Sequence, residues 1–168
     1  KKLTSSITPP EGEAFSFPHI AWMKVEALRS LFSDLGLEEI RKAFQGASPN
    51  LLRAFLARFS PTEAKEIRER IEGGTVSPVA REEAQRHLVS LPLAPLPTEA
   101  FFREIGYSVF ARALLPGELP WAELVCRRLS PQEGYRLKRI LSETVGGEAV
   151  ELKDKGKKEE VVRRILAL

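Results

Sequence analysis

The sequence is poor in the residues that most often carry chemistry. It holds two histidines, His19 and His87, one cysteine, Cys126, and one methionine. A single cysteine excludes a disulfide within the chain and fits a reducing, cytoplasmic compartment. Cys126 lies among Ala122, Val125 and Leu129 and reads as a small core hydrophobe rather than a nucleophile. Neither histidine has a second His or Cys at ligand spacing, so no zinc site is expected. No G-x-S-x-G, P-loop or G-x-G-x-x-G is present. No apolar run approaches the roughly 20 residues that a membrane span needs, and no signal-peptide pattern occurs. The first residue is Lys1 rather than Met, as expected of a fragment or a processed form. The acidic residues are expected on exposed helical faces, usually beside a base three or four positions away. Such pairs support helices more often than they serve as acid/base couples. Neither catalysis nor a cofactor is expected.

What is present is charge, well mixed. Lys and Arg number 26 against 23 Asp and Glu, a net charge of +3. The two signs interleave along the chain, which reads as a solvated, salt-bridged surface. The one basic cluster, Lys153 to Lys158 (KDKGKK), is diluted by Asp154 and has no aromatic neighbours to stack on bases. Nucleic-acid binding through it, with Arg163 and Arg164, is a minor alternative. A hydrophobic fraction of 43% places the chain with soluble globular proteins rather than disordered ones.

The order in the sequence is a repeat. Arg58 to Glu63 reads R-F-S-P-T-E, and Arg128 to Glu133 reads R-L-S-P-Q-E. Each copy is followed by a double glycine, Gly73-Gly74 and Gly146-Gly147. Each then leads to a similar closing helix, EEAQRHLVSL at Glu82–Leu91 and EEVVRRILAL at Glu159–Leu168. The fold class is therefore all-α, a tandem of two related helical units. Residues 1–14 are a flexible lead-in, 15–91 the first unit, 92–98 a proline-rich linker (PLAPLP at Pro92–Pro97), and 99–168 the second unit.

Within the first unit, Phe15 and Phe17 alternate with Ser16, and Pro18 argues against a helix. The segment is expected to be an extended hinge or plug. Apolar spacing predicts a helix over Trp22–Asp34, a stop at Gly36, and a second short helix over Leu37–Gln45. Ser48-Pro49 opens a helix whose apolar face is expected to be Leu51, Leu52, Phe55, Leu56 and Phe59. The corner Ser60-Pro61-Thr62-Glu63 is a predicted capping box. Beyond it, Ala64, Ile67 and Ile71 face inward while Glu63, Lys65, Glu66, Arg68, Glu69, Arg70 and Glu72 stay outside. Ser77-Pro78 opens a helix to about Leu91. In the second unit Thr98 caps a helix reaching about Leu115, followed by helices at Leu119–Leu129 and Pro131–Val145. Ser130-Pro131 is the matching corner. Val150 and Leu152 are expected to make a brief extended contact.

Over Ala43–Gln85 the sequence resembles the C-terminal domain of the flagellar motor switch protein FliG. Gly46, Ala47 and Ser48 match that family's turn, and Leu51, Phe55 and Leu56 its apolar helix. Ser60 and Ala64 match its corner, Arg68 and Glu69 its charged helix, and Glu82 and Gln85 its last element. Ala14-Phe15-Ser16-Phe17 is similar to the family's Met-Phe-x-Phe hinge. The resemblance implies right-handed, armadillo-like helical units and a non-enzymatic rotor component of the motility and chemotaxis machinery, in the C-ring at the cytoplasmic, inner face of the membrane. It implies partners among switch and membrane-ring proteins, the stator, and further copies in a ring, with no membrane insertion. The charged helix would face the partner. Where the family carries functional charges, this chain has Gln45 for Lys, Thr62 for Arg, Glu69 for Asp, Arg70 for a second Asp and Ser77 for Arg, the pattern of a divergent paralogue with altered stator contact. A helical-repeat adaptor of a flagellum-related secretion apparatus, or an unrelated scaffold, is the alternative.

Overall fold

The computed structural model describes residues 17–91, 93, 98–114, 116–145, 161 and 163. Among these the protein is all-α, with no strand. A 3₁₀ helix at Phe17–Trp22 precedes α1 (Val25–Phe44), α2 (Pro49–Leu56), α3 (Pro61–Glu72), α4 (Pro78–Val89) and α5 (Thr98–Ala113). A 3₁₀ turn at Pro116–Glu118 then leads to α6 (Leu119–Arg128) and α7 (Pro131–Val145). Val161 and Arg163 also have helical backbone. The expected contact of Val150 and Leu152, the Lys153–Lys158 cluster and Phe15 lie outside the described residues.

The same local signal starts four helices. Every Ser-Pro pair in the sequence stands at a helix N-terminus: Ser48-Pro49, Ser60-Pro61, Ser77-Pro78 and Ser130-Pro131. In each the serine hydroxyl accepts a backbone N–H three residues on, from Leu51 (3.3 Å), Glu63 (3.3 Å), Ala80 (3.2 Å) and Glu133 (3.4 Å). Proline at the first helical position gives up no hydrogen bond, because that N–H has no partner within the helix. At the far end of α3, Gly74 takes φ +72°, a left-handed conformation that suits glycine.

Two expectations fail at the start of the chain. Phe17–Trp22 is a 3₁₀ helix rather than an extended plug. Pro18 sits at its second position, where a missing donor costs nothing. Gly36 does not end a helix either, since α1 runs unbroken through it to Phe44. A Cβ at Gly36 would overlap the backbone carbonyl of Phe102 on α5, and a Cβ at Gly106 on α5 would overlap the carbonyl of Phe32 on α1. The reciprocal pairing of 32 with 106 and 36 with 102 sets these stretches antiparallel, backbone against backbone. Glycine is needed at both crossing points because only it lets the two main chains approach so closely.

The described chain forms two compact units, Lys1–Leu31 with Phe110–Leu168, and Phe32–Val109. In Phe32–Val109 the core holds Phe32, Leu35, Ile40, Phe55, Leu56, Ile67, Ile71, Phe101 and Ile105, all buried. Rings join into a cluster here. Phe44 stacks on Phe55 with centroids 4.4 Å apart, Phe59 stacks on Phe102 at 5.7 Å, and Phe101 meets Phe102 edge-on at 5.4 Å. Leu51, expected on the apolar face of α2, is 56% exposed. An eight-residue helix turns only one narrow stripe inward, and Phe55 and Leu56 fill it. In the other unit Ile20, Leu28, Leu31, Phe110, Leu114, Val125, Leu137 and Val161 are fully or almost fully buried. Each such side chain contributes about 1.5–3 kcal/mol of transfer free energy.

Candidate partner-binding site

α3 is built for rigidity at one end and charge along its length. Its N-terminus is a complete capping box. Ser60 Oγ accepts the N–H of Glu63 at 3.3 Å, and Glu63 Oε2 accepts the N–H of Ser60 at 3.0 Å. Ile67 and Ile71 are buried and Ala64 half-buried, so one face is fixed in the core. Glu63, Lys65, Glu66, Arg68, Glu69 and Glu72 are exposed. The acids recur every third residue from Glu63 to Glu72, and each of the two bases precedes an acid by four. Lys65 Nζ lies 4.0 Å from Glu69 Oε1, with both side chains largely in solvent. Such a pair contributes little to stability and leaves both charges available.

Arg70 differs from the other charges named on this helix. Its Nη2 donates to Asp34 Oδ1 on α1 at 2.6 Å, and both groups are about one-third exposed. Arg70 is thus engaged within its own unit. With Arg70 tied inward, the outward face carries four glutamates and two bases. Gln45 and Ser77 also have local uses. The Gln45 amide donates to the Gly74 carbonyl at 2.7 Å, and Ser77 caps α4. Both contacts lie at the loop that follows the charged helix.

Sequence reasoning missed a buried polar cluster in the same unit. His87 on α4 is fully buried, with Nδ1 2.7 Å from Glu39 Oε1 on α1 and Nε2 2.6 Å from Ser108 Oγ on α5. Glu38, Glu39 and Glu104 are also buried, against the expectation that the acids lie on exposed faces. Glu38 accepts two hydrogen bonds from Arg41, at 3.0 and 2.7 Å, and Arg41 also donates to the Gly73 carbonyl at 2.8 Å. Carboxylate, imidazole and hydroxyl stand in the order of an acyl-transfer triad. However, Ser108 is only 2% exposed, so its hydroxyl is out of reach of a substrate. The cluster acts as a clamp across three helices, because buried polar groups persist where each is hydrogen-bonded. A signal existed in the sequence. Glu39, His87 and Ser108 each fall in phase with the apolar stripe of their helix.

The second corner belongs to the other unit. Ser130 and Glu133 repeat the capping box, with the Glu133 carboxylate accepting the Ser130 N–H at 3.3 Å and the Ser130 hydroxyl at 2.9 Å. Arg29 of α1 grips the same carboxylate, Nε at 3.2 and 3.3 Å and Nη2 at 3.2 Å. Partial burial alone would raise the Glu133 pKa, but the hydrogen bonds from Arg29 and Ser130 outweigh it and hold it below the ordinary 4.5. Cys126 is half-buried, and that burial pushes its thiol up to about 11. Among the described residues no group of His, Cys, Asp or Glu is arranged to hold a metal ion, and no helix is long and apolar enough to cross a membrane.

The unit that carries α3 shows an all-helical build, serine-capped corners and an exposed charged helix, with a Gly-Ala-Ser turn before α2. Residues 10–92 match the family model of the FliG C-terminal domain. This segment is a FliG-like C-terminal domain. It takes in α1 to α4, including the charged helix, while α5 to α7 lie beyond the matched residues. The match relates residues 10–92, and not the rest of the chain, to the C-terminal domain of a flagellar motor switch protein. No curated protein and no solved structure matches the chain significantly.

Proposed function

We propose that the protein is a non-enzymatic component of a flagellar rotor switch, and that α3 is the face it turns to its partners. The observation that carries the reading is the exposed, acid-dominated surface of α3, held rigid by a capping box inside the FliG-like segment. Charges displayed on a fixed helix steer an encounter and set its register more than its raw affinity. Glu63, Glu66, Glu69 and Glu72 are the acids of that face, with Lys65 and Arg68 between them. Because Arg70 is engaged by Asp34, it acts as a brace for the helix. The partners are switch or membrane-ring proteins and, with a changed charge pattern, the stator. The site of action is the cytoplasmic face of the inner membrane, where copies assemble in a ring.

The chain as a tandem of related units, 15–91 and 99–168 joined through 92–98, forms part of this proposal. Support comes from a register constant at 70 residues, which sets Phe32 and Gly36 against Phe102 and Gly106, and Ser60 and Glu63 against Ser130 and Glu133.

The experiment is a charge reversal, Glu66→Lys with Glu69→Lys, in motile cells that carry this chain. Loss of co-purification with switch-complex proteins, or a change in rotation, supports the reading. Normal rotation and unchanged co-purification, with the variant present at normal levels, would sink it. The same test on Arg70→Ala is expected to lower stability and leave the contacts intact.

A further inference from the structure

A second surface of the Phe32–Val109 unit lies away from α3. An open groove of about 820 Å³ runs between the C-terminal end of α1, α2 and α4. None of its lining residues is on α3. Its apolar floor includes Phe44, Phe55, Leu88 and Phe101, and two large apolar side chains stand exposed at its edge, Leu51 at 56% and Val89 at 87%. Apolar surface left open beside a concave site marks a binding surface more often than a scattered exposed leucine does.

The polar groups of the groove are unequal. Gln85 is engaged by the Ala43 carbonyl at 3.0 Å, and Gln45 by that of Gly74. Glu82, the groove's one acid, is paired with Arg86 at 3.3 Å. The two arginines that line it, Arg58 and Arg81, have no carboxylate partner among the described residues. The Arg58 guanidinium sits 5.8 Å from the centre of the Phe101 ring, which orients it without neutralising it. We infer that this groove is a docking site for an acidic amphipathic helix of a partner protein, with apolar side chains on the Phe44–Phe55–Leu88 floor and against Leu51 and Val89 at its edge, and carboxylates on Arg58 and Arg81. Charge complementarity selects this occupant. Guanidinium forks suit carboxylates, and an apolar floor between two helices suits the i, i+4, i+7 anchors of a third. The surface is separate from the α3 face, and the inference stands or falls without it.

The test uses the full chain, isotope-labelled, with two synthetic amphipathic peptides of about 14 residues, long enough to support helix. Both carry leucine and phenylalanine at i, i+4 and i+7. One has glutamates beside the apolar row and the other lysines. The acidic peptide is expected to shift the amides of residues 43–58 and 78–93, and to weaken about tenfold or more in Arg58→Glu and in Arg81→Glu, with salt weakening it further. Arg68→Glu on α3 should leave its affinity unchanged, which separates this site from the proposed partner face. Equal binding of the two peptides, unchanged affinity in both arginine variants, or shifts centred outside the groove would overturn the inference. So would a concentration-dependent dimer that Leu51→Glu abolishes, since the occupant would then be a second copy.

Discussion

The two serine-proline corners share sequence and first-turn geometry yet are anchored differently. At Ser60 the capping box closes on itself in solvent, and Glu63 serves only the backbone beside it among the hydrogen bonds described. At Ser130 the same glutamate position is also gripped by Arg29, more than a hundred residues away in sequence. The arginines two residues before each serine diverge as well. Arg58 lies over the Phe101 ring, while Arg128 donates to the backbone carbonyl of Ala21. One corner is thus a local device that leaves its helix free to display charge. The other is locked into tertiary structure. A motif repeated in sequence fixes local conformation, and the surroundings decide whether it is a display or a brace.

The contrast would be broken most severely at the glycine pair that lets α1 and α5 approach. Gly36→Ala or Gly106→Ala places a Cβ on a facing carbonyl, with no flexible side chain to yield. Each is expected to cost about 3 kcal/mol or more, at the upper end of overpacking effects, in denaturant unfolding. An ordinary helix position would gain from the same change.

Next comes the buried clamp. His87→Leu removes a hydrogen bond from Glu39 and another from Ser108, and is expected to cost about 2–3 kcal/mol. A loss under about 0.5 kcal/mol would show that the cluster adds little.

The corners themselves can be compared directly. Glu133→Gln is expected to destabilise by about 1–2 kcal/mol and Glu63→Gln by about 0.5 kcal/mol, read from thermal or urea unfolding. pH sharpens the difference. The Glu133 carboxyl is held below its unfolded value. Its contribution is therefore present above the usual carboxylate range and is lost as pH falls through the folded pKa. Arg29→Met should flatten that part of the stability profile. Equal acid sensitivity in the wild type and Arg29→Met would make the two corners alike.

The smallest effect belongs to the exposed pair on α3. Lys65→Ala should change stability by no more than about 0.3 kcal/mol, since the ions are 4.0 Å apart in solvent. The Cys126 thiol, with its pKa pushed up to about 11, should react slowly with iodoacetamide at neutral pH in the folded protein and readily once unfolded.

Local signals in the sequence account for much of this fold. The Ser-Pro pairs determine four helix starts, because capping and the missing proline donor act within a single turn. The i, i+3, i+4 pattern of α3 determines which residues face outward, so the charged face is legible in the order of residues alone. Ile67 and Ile71 go in, and the glutamates stay out. What only the tertiary structure decided depends on partners distant in sequence. Gly36 has the same local character as a helix stop, and only the Phe102 backbone makes it a crossing point. Glu39 and His87 fall in phase with the apolar stripes of their helices, but only the fold brings Ser108 and one another alongside to satisfy them in the core. Arg70 looks like a free charge until Asp34 takes it up. Short-range hydrogen bonding is written in neighbouring residues, whereas burial and pairing are settled by what the fold brings alongside.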